Sequence, residues 1–196
     1  MFTINPCAAG CGKPAVTGNN LCFTHLANPE QEYRRICEYI GQNMSIKDFN
    51  VSGVRFENID FSNRRFYGCN FKEASFSQCN FSGVKIRMSF FDFSDFVNCD
   101  FSGSDLQFLS FAGTRLDSCS FEGSEIIHIN FEGAVVFDTS FNNSNLYKSR
   151  FISAELESST FVNCNLKRVY FASAKQKNVL FKSSNTAEAV FEAEEQ

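Results

Sequence analysis

Residues 119–141 read CSFEGSEIIHINFEGAVVFDTSF, with Phe at positions 121, 131 and 141 and with Ile126 and Val136 midway between them. An apolar stripe on a helix recurs every three to four residues and a half-buried strand alternates every two, so a spacing of five belongs to neither. The phase runs on in both directions. Toward the N-terminus it takes in Phe56, Phe61, Phe66, Phe71, Phe76, Phe81, Ile86, Phe91, Phe96, Phe101, Leu106, Phe111 and Leu116, with Ile46 and Val51 ahead of them. Toward the C-terminus it passes through Leu146, Phe151, Leu156, Phe161, Leu166, Phe171 and Phe181 to Phe191, and only Gln176 and Thr186 break it.

Two places before most of these large residues stands a small one, as at Cys69, Ala74, Cys79, Ser89, Ser94, Cys99, Cys119 and Cys164. Each unit of five therefore turns one large and one small residue inward and three outward. This pattern resembles the pentapeptide-repeat family, whose units follow A(D/N)LXX with Leu or Phe at the centre, over residues 44–192. The resemblance implies an all-β fold, a right-handed quadrilateral parallel β-helix with four units to a coil and about seven coils. A period of twenty is visible in the residues themselves. Positions 61, 81, 101, 121, 141, 161 and 181 are all Phe, as are 71, 91, 111, 131, 151, 171 and 191, while the intervening columns hold most of the Ile, Leu and Val. Asn63, Gly83, Gly103, Gly123, Asn143 and Asn163 also superpose, as a corner with positive φ requires. At about 4.8 Å per coil the rod is roughly 36 Å long. Such a stack buries each coil only against its neighbours and needs a cap at its ends.

With 196 residues and 43% hydrophobic content the chain can bury a sizeable core. No apolar run reaches the length of about 20 residues that spans a bilayer, and MFTINPCAAG lacks the basic-then-apolar order of a secretory signal, so a cytoplasmic location is expected. Of the nine cysteines, Cys69, Cys79, Cys99, Cys119 and Cys164 occupy inward small positions and read as compact apolar residues.

Three of the others, Cys7, Cys11 and Cys22, form with His25 a C-x3-C-x10-C-x2-H arrangement around a Gly- and Asn-rich loop. Two ligand pairs of this composition suit a tetrahedral structural Zn2+ site, and with four protein ligands no position is left for a reactive water. The CGKP turn and LCxxH resemble a zinc knuckle of the treble-clef kind. Free thiols packed on the next helix, or iron–sulfur chemistry, are the other readings. Asn28 and Pro29 begin a helix that Gly41 should stop, and Tyr33, Ile36, Cys37 and Ile40 form its apolar stripe. Laid near Met44, Ile46 and Phe49, that stripe would close the first coil. The chain thus divides into a zinc-binding segment (1–27), a capping helix (28–43), the β-helix (44–192) and a tail (193–196). SNTAEAVFEAEEQ predicts a short C-terminal helix capped by Ser184 or Asn185, a candidate homodimer contact.

Catalytic machinery is not visible: His25 belongs to the metal set, His128 faces outward without a partner, and the FSGS, FAGT and FEGS units are turns, not phosphate loops. The surface then has to carry function. Residues 88–147 hold nine carboxylates, among them Asp95, Asp117 and Asp138, against Arg115 alone, whereas 148–182 are net basic. An outward series of Tyr67, Met88, Phe108, Ile127 and Tyr147 recurs about once per coil. Two functions follow. One is a non-catalytic scaffold that binds a protein partner through a rigid lateral face. The other is implied by similarity to the quinolone-resistance branch of the family: a DNA mimic whose acidic belt occupies a type II topoisomerase such as DNA gyrase. Direct nucleic-acid binding by the knuckle is disfavoured, because residues 1–44 balance Lys13, Arg34 and Arg35 against Glu30, Glu32 and Glu38.

Overall fold

A computed structural model describes residues 5–192. From Ser45 onward the chain winds as a four-sided parallel β-solenoid. Three-residue strands centred on Ile46, Phe66, Ile86, Leu106 and Ile126 pair in register as one wall, each residue lying beside the one twenty positions later. Strands centred on Phe56, Phe76, Phe96, Leu116, Val136, Leu156 and Gln176 form the opposite wall in the same register. The two walls between them are joined by single bridges, such as Asn70 to Phe90 and Asp100 to Ser120.

The core is sorted by type, as the period of twenty requires. Phe61, Phe81, Phe101 and Phe121 stack face to face with centroids 4.4–4.6 Å apart. The facing column from Phe71 to Phe191 stacks in the same way, and rings of the two columns meet edge to face across the lumen, as Phe141 and Phe151 do at 5.7 Å. The inward small position is more than filler. Ser94, Ser104, Ser124, Ser144 and Ser149 are buried, and each hydroxyl donates to the carbonyl twenty-three residues earlier at 2.6–2.9 Å. Several of the same oxygens accept an N–H from the preceding coil, as Ser124 does from Ser104 at 3.1 Å. Polar atoms inside an apolar rod are thereby satisfied, and among the described residues no buried side-chain nitrogen or oxygen lacks a partner.

One column of positive-φ corners is expected from Asn63 to Asn163, and four are found. Every fifth residue from Asp48 to Ser183 is left-handed, with φ between 45 and 72°. A square coil turns four times, and each turn needs the same local reversal. The first wall loses its strands after Ile126, because the Asn145 and Asn165 side chains accept the N–H groups of Tyr147 and Lys167 at 3.2 and 3.1 Å. Such local turns compete with the ladder for backbone donors.

The helix spans Pro29–Gln42, with the Asn28 side chain accepting the Gln31 N–H and Asn43 at its end. It therefore runs past Gly41, the expected stop. Ile36 and Ile40 are fully buried against the first coil, and Tyr33 meets Phe56 at 6.1 Å. Met44 does not join this cap: it is 61% exposed, since the two isoleucines already fill the space under the helix. Arg64 closes the other side by donating to the Ile40 and Gly41 carbonyls at 2.7 and 3.2 Å. The expected C-terminal helix is a single 3-10 turn at Thr186–Glu188. Ser184 and Asn185 do not cap it with their side chains, because these accept the N–H groups of Cys164 and Leu166 in the coil before. Val190 then bridges Tyr170, so the segment completes a coil. The tail 193–196 lies outside the described residues.

Candidate metal centre and partner face

The N-terminal segment folds around two short turns. Cys7 N–H donates to Lys13 O, Pro6 bridges Pro14, and Gly10 and Gly12 between them have φ of 71 and 78°, a reversal that favours glycine. This turn carries Cys7 and Cys11. The second pair sits on the 3-10 turn Phe23–His25, where His25 N–H returns to Cys22 O at 2.9 Å. The four ligand atoms lie within 4.8 Å of one another and can hold a metal ion.

Their separations suit a four-coordinate ion. Bond lengths of about 2.3 Å to sulfur and 2.0 Å to nitrogen give tetrahedral edges of roughly 3.8 Å for S···S and 3.5 Å for S···N. The structure has Cys11 Sγ to Cys22 Sγ at 3.7 Å, Cys7 Sγ to His25 Nδ1 at 3.5 Å and Cys22 Sγ to His25 Nδ1 at 3.3 Å. Cys22 N–H also donates to Cys7 Sγ at 3.2 Å, and this is the first cause of a Cys7 pKa lowered to about 6, despite burial. Burial and the facing thiols push Cys22 upward.

The segment is fastened to the rod. Thr17 N–H donates to Asn50 O at 3.0 Å, and Asn50 N–H donates to Thr17 Oγ1 at 2.7 Å. Asn50 also holds Asn70 at 2.8 Å, Arg35 reaches Thr17 O at 2.5 Å, and Lys13 pairs with Glu73 at 2.9 Å. Val16, fully buried, belongs to the same core as Ile36 and Ile40. By contrast, the inward cysteines are shut away: Cys79, Cys99 and Cys119 form a buried column facing carbonyls at 3.5–3.7 Å, and burial pushes Cys69 up to about 11.

The candidate partner residues fall on two opposite walls. Tyr67, Met88, Phe108, Ile127 and Tyr147 run along the wall that begins with Ile46. The Tyr67 hydroxyl meets the Met88 sulfur at 3.3 Å, and Lys148 lies over the Tyr147 ring at 5.2 Å. His128, read from the sequence as solitary, completes the line by stacking on Phe108 at 5.0 Å and meeting Tyr147 edge-on at 6.2 Å. Tyr67, Met88 and Phe108 are about half exposed, while Ile127 and Tyr147 are more sheltered.

Asp95, Asp117 and Asp138 are on the other face, the first two beside Arg115. Asp95 lies in register beside Arg115, Arg115 pairs with Asp117 at 2.5 Å, and Glu155 and Glu157 pair with Lys175 and Lys177. The acidic belt is further neutralised by Lys72 on Asp92, Arg87 on Asp105 and Arg150 on Glu132. All three cations lie outside residues 88–147. Counting charge along the chain missed them because each residue's neighbours on the rod are about twenty positions away.

A family model described as a pentapeptide repeat region matches residues 49–131 and again 114–191. Among solved structures, QnrB1, a plasmid-mediated fluoroquinolone resistance protein, aligns with a TM-score of 0.47 at 20% identity, covering 76% of this chain and 78% of that one. HetL, a pentapeptide repeat protein involved in heterocyst differentiation regulation from the cyanobacterium Nostoc, aligns at 0.35 and 12%, covering 79% and 94%. A pentapeptide repeat protein from the Arabidopsis thaliana thylakoid lumen aligns at 0.31 and 18%, covering 62% and 68%. No curated protein matches the sequence. Repeats of five in unbroken phase, a four-sided solenoid built on them and the family model over most of the chain place this protein in the pentapeptide repeat family.

Proposed function

We propose that the protein is a non-catalytic scaffold that binds a protein partner through the wall carrying Tyr67, Met88, Phe108, Ile127 and Tyr147. One observation carries this reading. At the corner of that wall, Met88, Phe108 and His128 occupy consecutive left-handed positions with φ of 49, 56 and 55°. A side chain there costs about 1 kcal/mol relative to glycine, and most corners of this rod carry Gly, Asn or Ser. Three bulky residues in a row, exposed or half-exposed, do not recover that cost by filling the core. Strain retained at a surface points to use of that surface.

The Cys7, Cys11, Cys22 and His25 set holds Zn2+ in this reading, as a structural ion that keeps the N-terminal segment folded over the first coil. Three thiolates and one imidazole are a common structural zinc set, and the fastening of Thr17 to Asn50 gives the ion a part in the cap. The topoisomerase reading has less support, because four of the nine carboxylates it needs, Asp92, Asp105, Asp117 and Glu132, are paired with Lys or Arg.

The test is Phe108→Asn combined with His128→Asn. Relief of corner strain should roughly offset the lost ring stacking of about 0.5–1.5 kcal/mol, leaving stability near that of the parent. A partner that co-purifies in stoichiometric amount with the parent should be lost. Retention of that partner by the double variant would rule out this wall.

A further inference from the structure

The first three coils of the proposed partner wall carry a charge pattern found nowhere on the opposite wall. Arg65 and Lys85 are register neighbours, one coil apart, and Lys47, Tyr67 and Arg87 form the adjacent row. Rungs are spaced by about 4.8 Å, and like charges directly opposite each other on neighbouring strands destabilise a sheet. On the far wall the neighbours alternate in sign, as Asp95 beside Arg115 and Glu155 beside Lys175. Here they do not. Lys47, Arg65 and Lys85 are exposed, and none of the ion pairs among the described residues includes them. Arg87 is already held by Asp105 at 2.5 Å, and Asp48 is the other carboxylate lining this groove.

The sign then changes. Lys85 is followed in its row by Asp105 and Glu125. The basic patch is therefore three coils deep, too short for a nucleic-acid strand running along the rod, which would meet carboxylates next. The apolar line begins at the same level, with Tyr67, Met88 and Phe108. We infer that the partner is a protein segment whose acidic residues seat on Lys47, Arg65 and Lys85 while its apolar residues lie along Tyr67, Met88 and Phe108. This rests on the scaffold reading and adds the chemistry of what the scaffold takes. Charge complementarity of this kind sets orientation and encounter rate, and the apolar line holds the contact.

A peptide-display library selected against the full, zinc-supplemented chain tests it, followed by anisotropy titration of a labelled selected peptide. Enrichment of Asp and Glu beside an apolar stretch is expected, with affinity falling as salt rises. Arg65→Glu with Lys85→Glu should weaken binding by about tenfold or more. Arg65→Gln with Lys85→Gln should weaken it less, and Arg55→Glu on the opposite wall should leave it unchanged. Selected peptides that need Phe108 but are neutral or basic would overturn the acidic-segment inference and leave the scaffold wall standing. Peptides indifferent to both Phe108→Asn and the charge reversals would remove both. Tighter binding of single-stranded oligothymidylate than of the peptide, lost on charge reversal, would reassign the patch to nucleic acid.

Discussion

Phe121→Ala tests the physical basis of the rod. Phe121 is fully buried, stacked on Phe101 at 4.6 Å and on Phe141 at 5.0 Å, with Phe131 edge-on at 6.5 Å. Truncation removes the ring's burial and leaves a cavity, for which Phe→Ala costs about 3–5 kcal/mol. The upper half of that range applies. Two stacked faces are lost, each worth about 0.5–1.5 kcal/mol beyond area, and the rings above and below cannot collapse because backbone rungs pin them. Phe181 makes the comparison. It stacks on Phe161 at 5.2 Å, meets Phe191 edge-on at 5.5 Å and is half-buried at the last coil, so Phe181→Ala should cost about 1–2 kcal/mol. Urea unfolding of both variants gives the difference as a shift in midpoint at constant slope. Equal costs at the two sites, or a Phe121→Ala cost below about 2 kcal/mol, would refute the idea that stacked, immobile rings hold the coils together.

Other consequences can be checked separately. Zinc titration with mass spectrometry should show a single equivalent bound, Cys22→Ser should abolish uptake, and chelation should lower the melting temperature and expose the amides around Thr17 and Asn50 to exchange; unchanged exchange there would separate the ion from the cap. Arg64→Ala should cost about 1–2 kcal/mol by releasing the Ile40 and Gly41 carbonyls, and hydrogen exchange in the last helical turn should rise with it. The Ser62 hydroxyl and N–H hold Asp60 below its ordinary value of 3.8, and Arg115 does the same for Asp117. A depressed folded-state pKa contributes stability that is present above the ordinary value and lost as pH falls through the folded one, so stability should drop on acidification below about pH 4. Asp60→Asn should flatten part of that drop, and an identical acid profile for the variant would remove Asp60 from the account.

How far the chain could be read in advance differed between parts. The Phe columns and the buried cysteines were legible because a repeat writes its contacts at fixed intervals. The Cys7, Cys11, Cys22 and His25 cluster was legible for a similar reason, since two residue pairs on short turns need little else to converge. His128 was not. Its partners, Phe108 and Tyr147, are about twenty residues away, and only the corner geometry brings the three rings together. The C-terminal helix was misjudged because Ser184 and Asn185 cap helices well in isolation, yet here the preceding coil claims both side chains.

By itself, the sequence determined the period, the identity of the inward residues, the coil length and the grouping of Cys7, Cys11, Cys22 and His25, all set by local spacing and side-chain size. Tertiary structure alone decided which charges neutralise one another, that His128 joins the aromatic line, and that Lys47, Arg65 and Lys85 stand together outside any ion pair of the described residues. These depend on contacts between coils. Coulombic and ring interactions follow distance in space, and in a solenoid the nearest neighbour of a surface residue is usually one coil away along the chain.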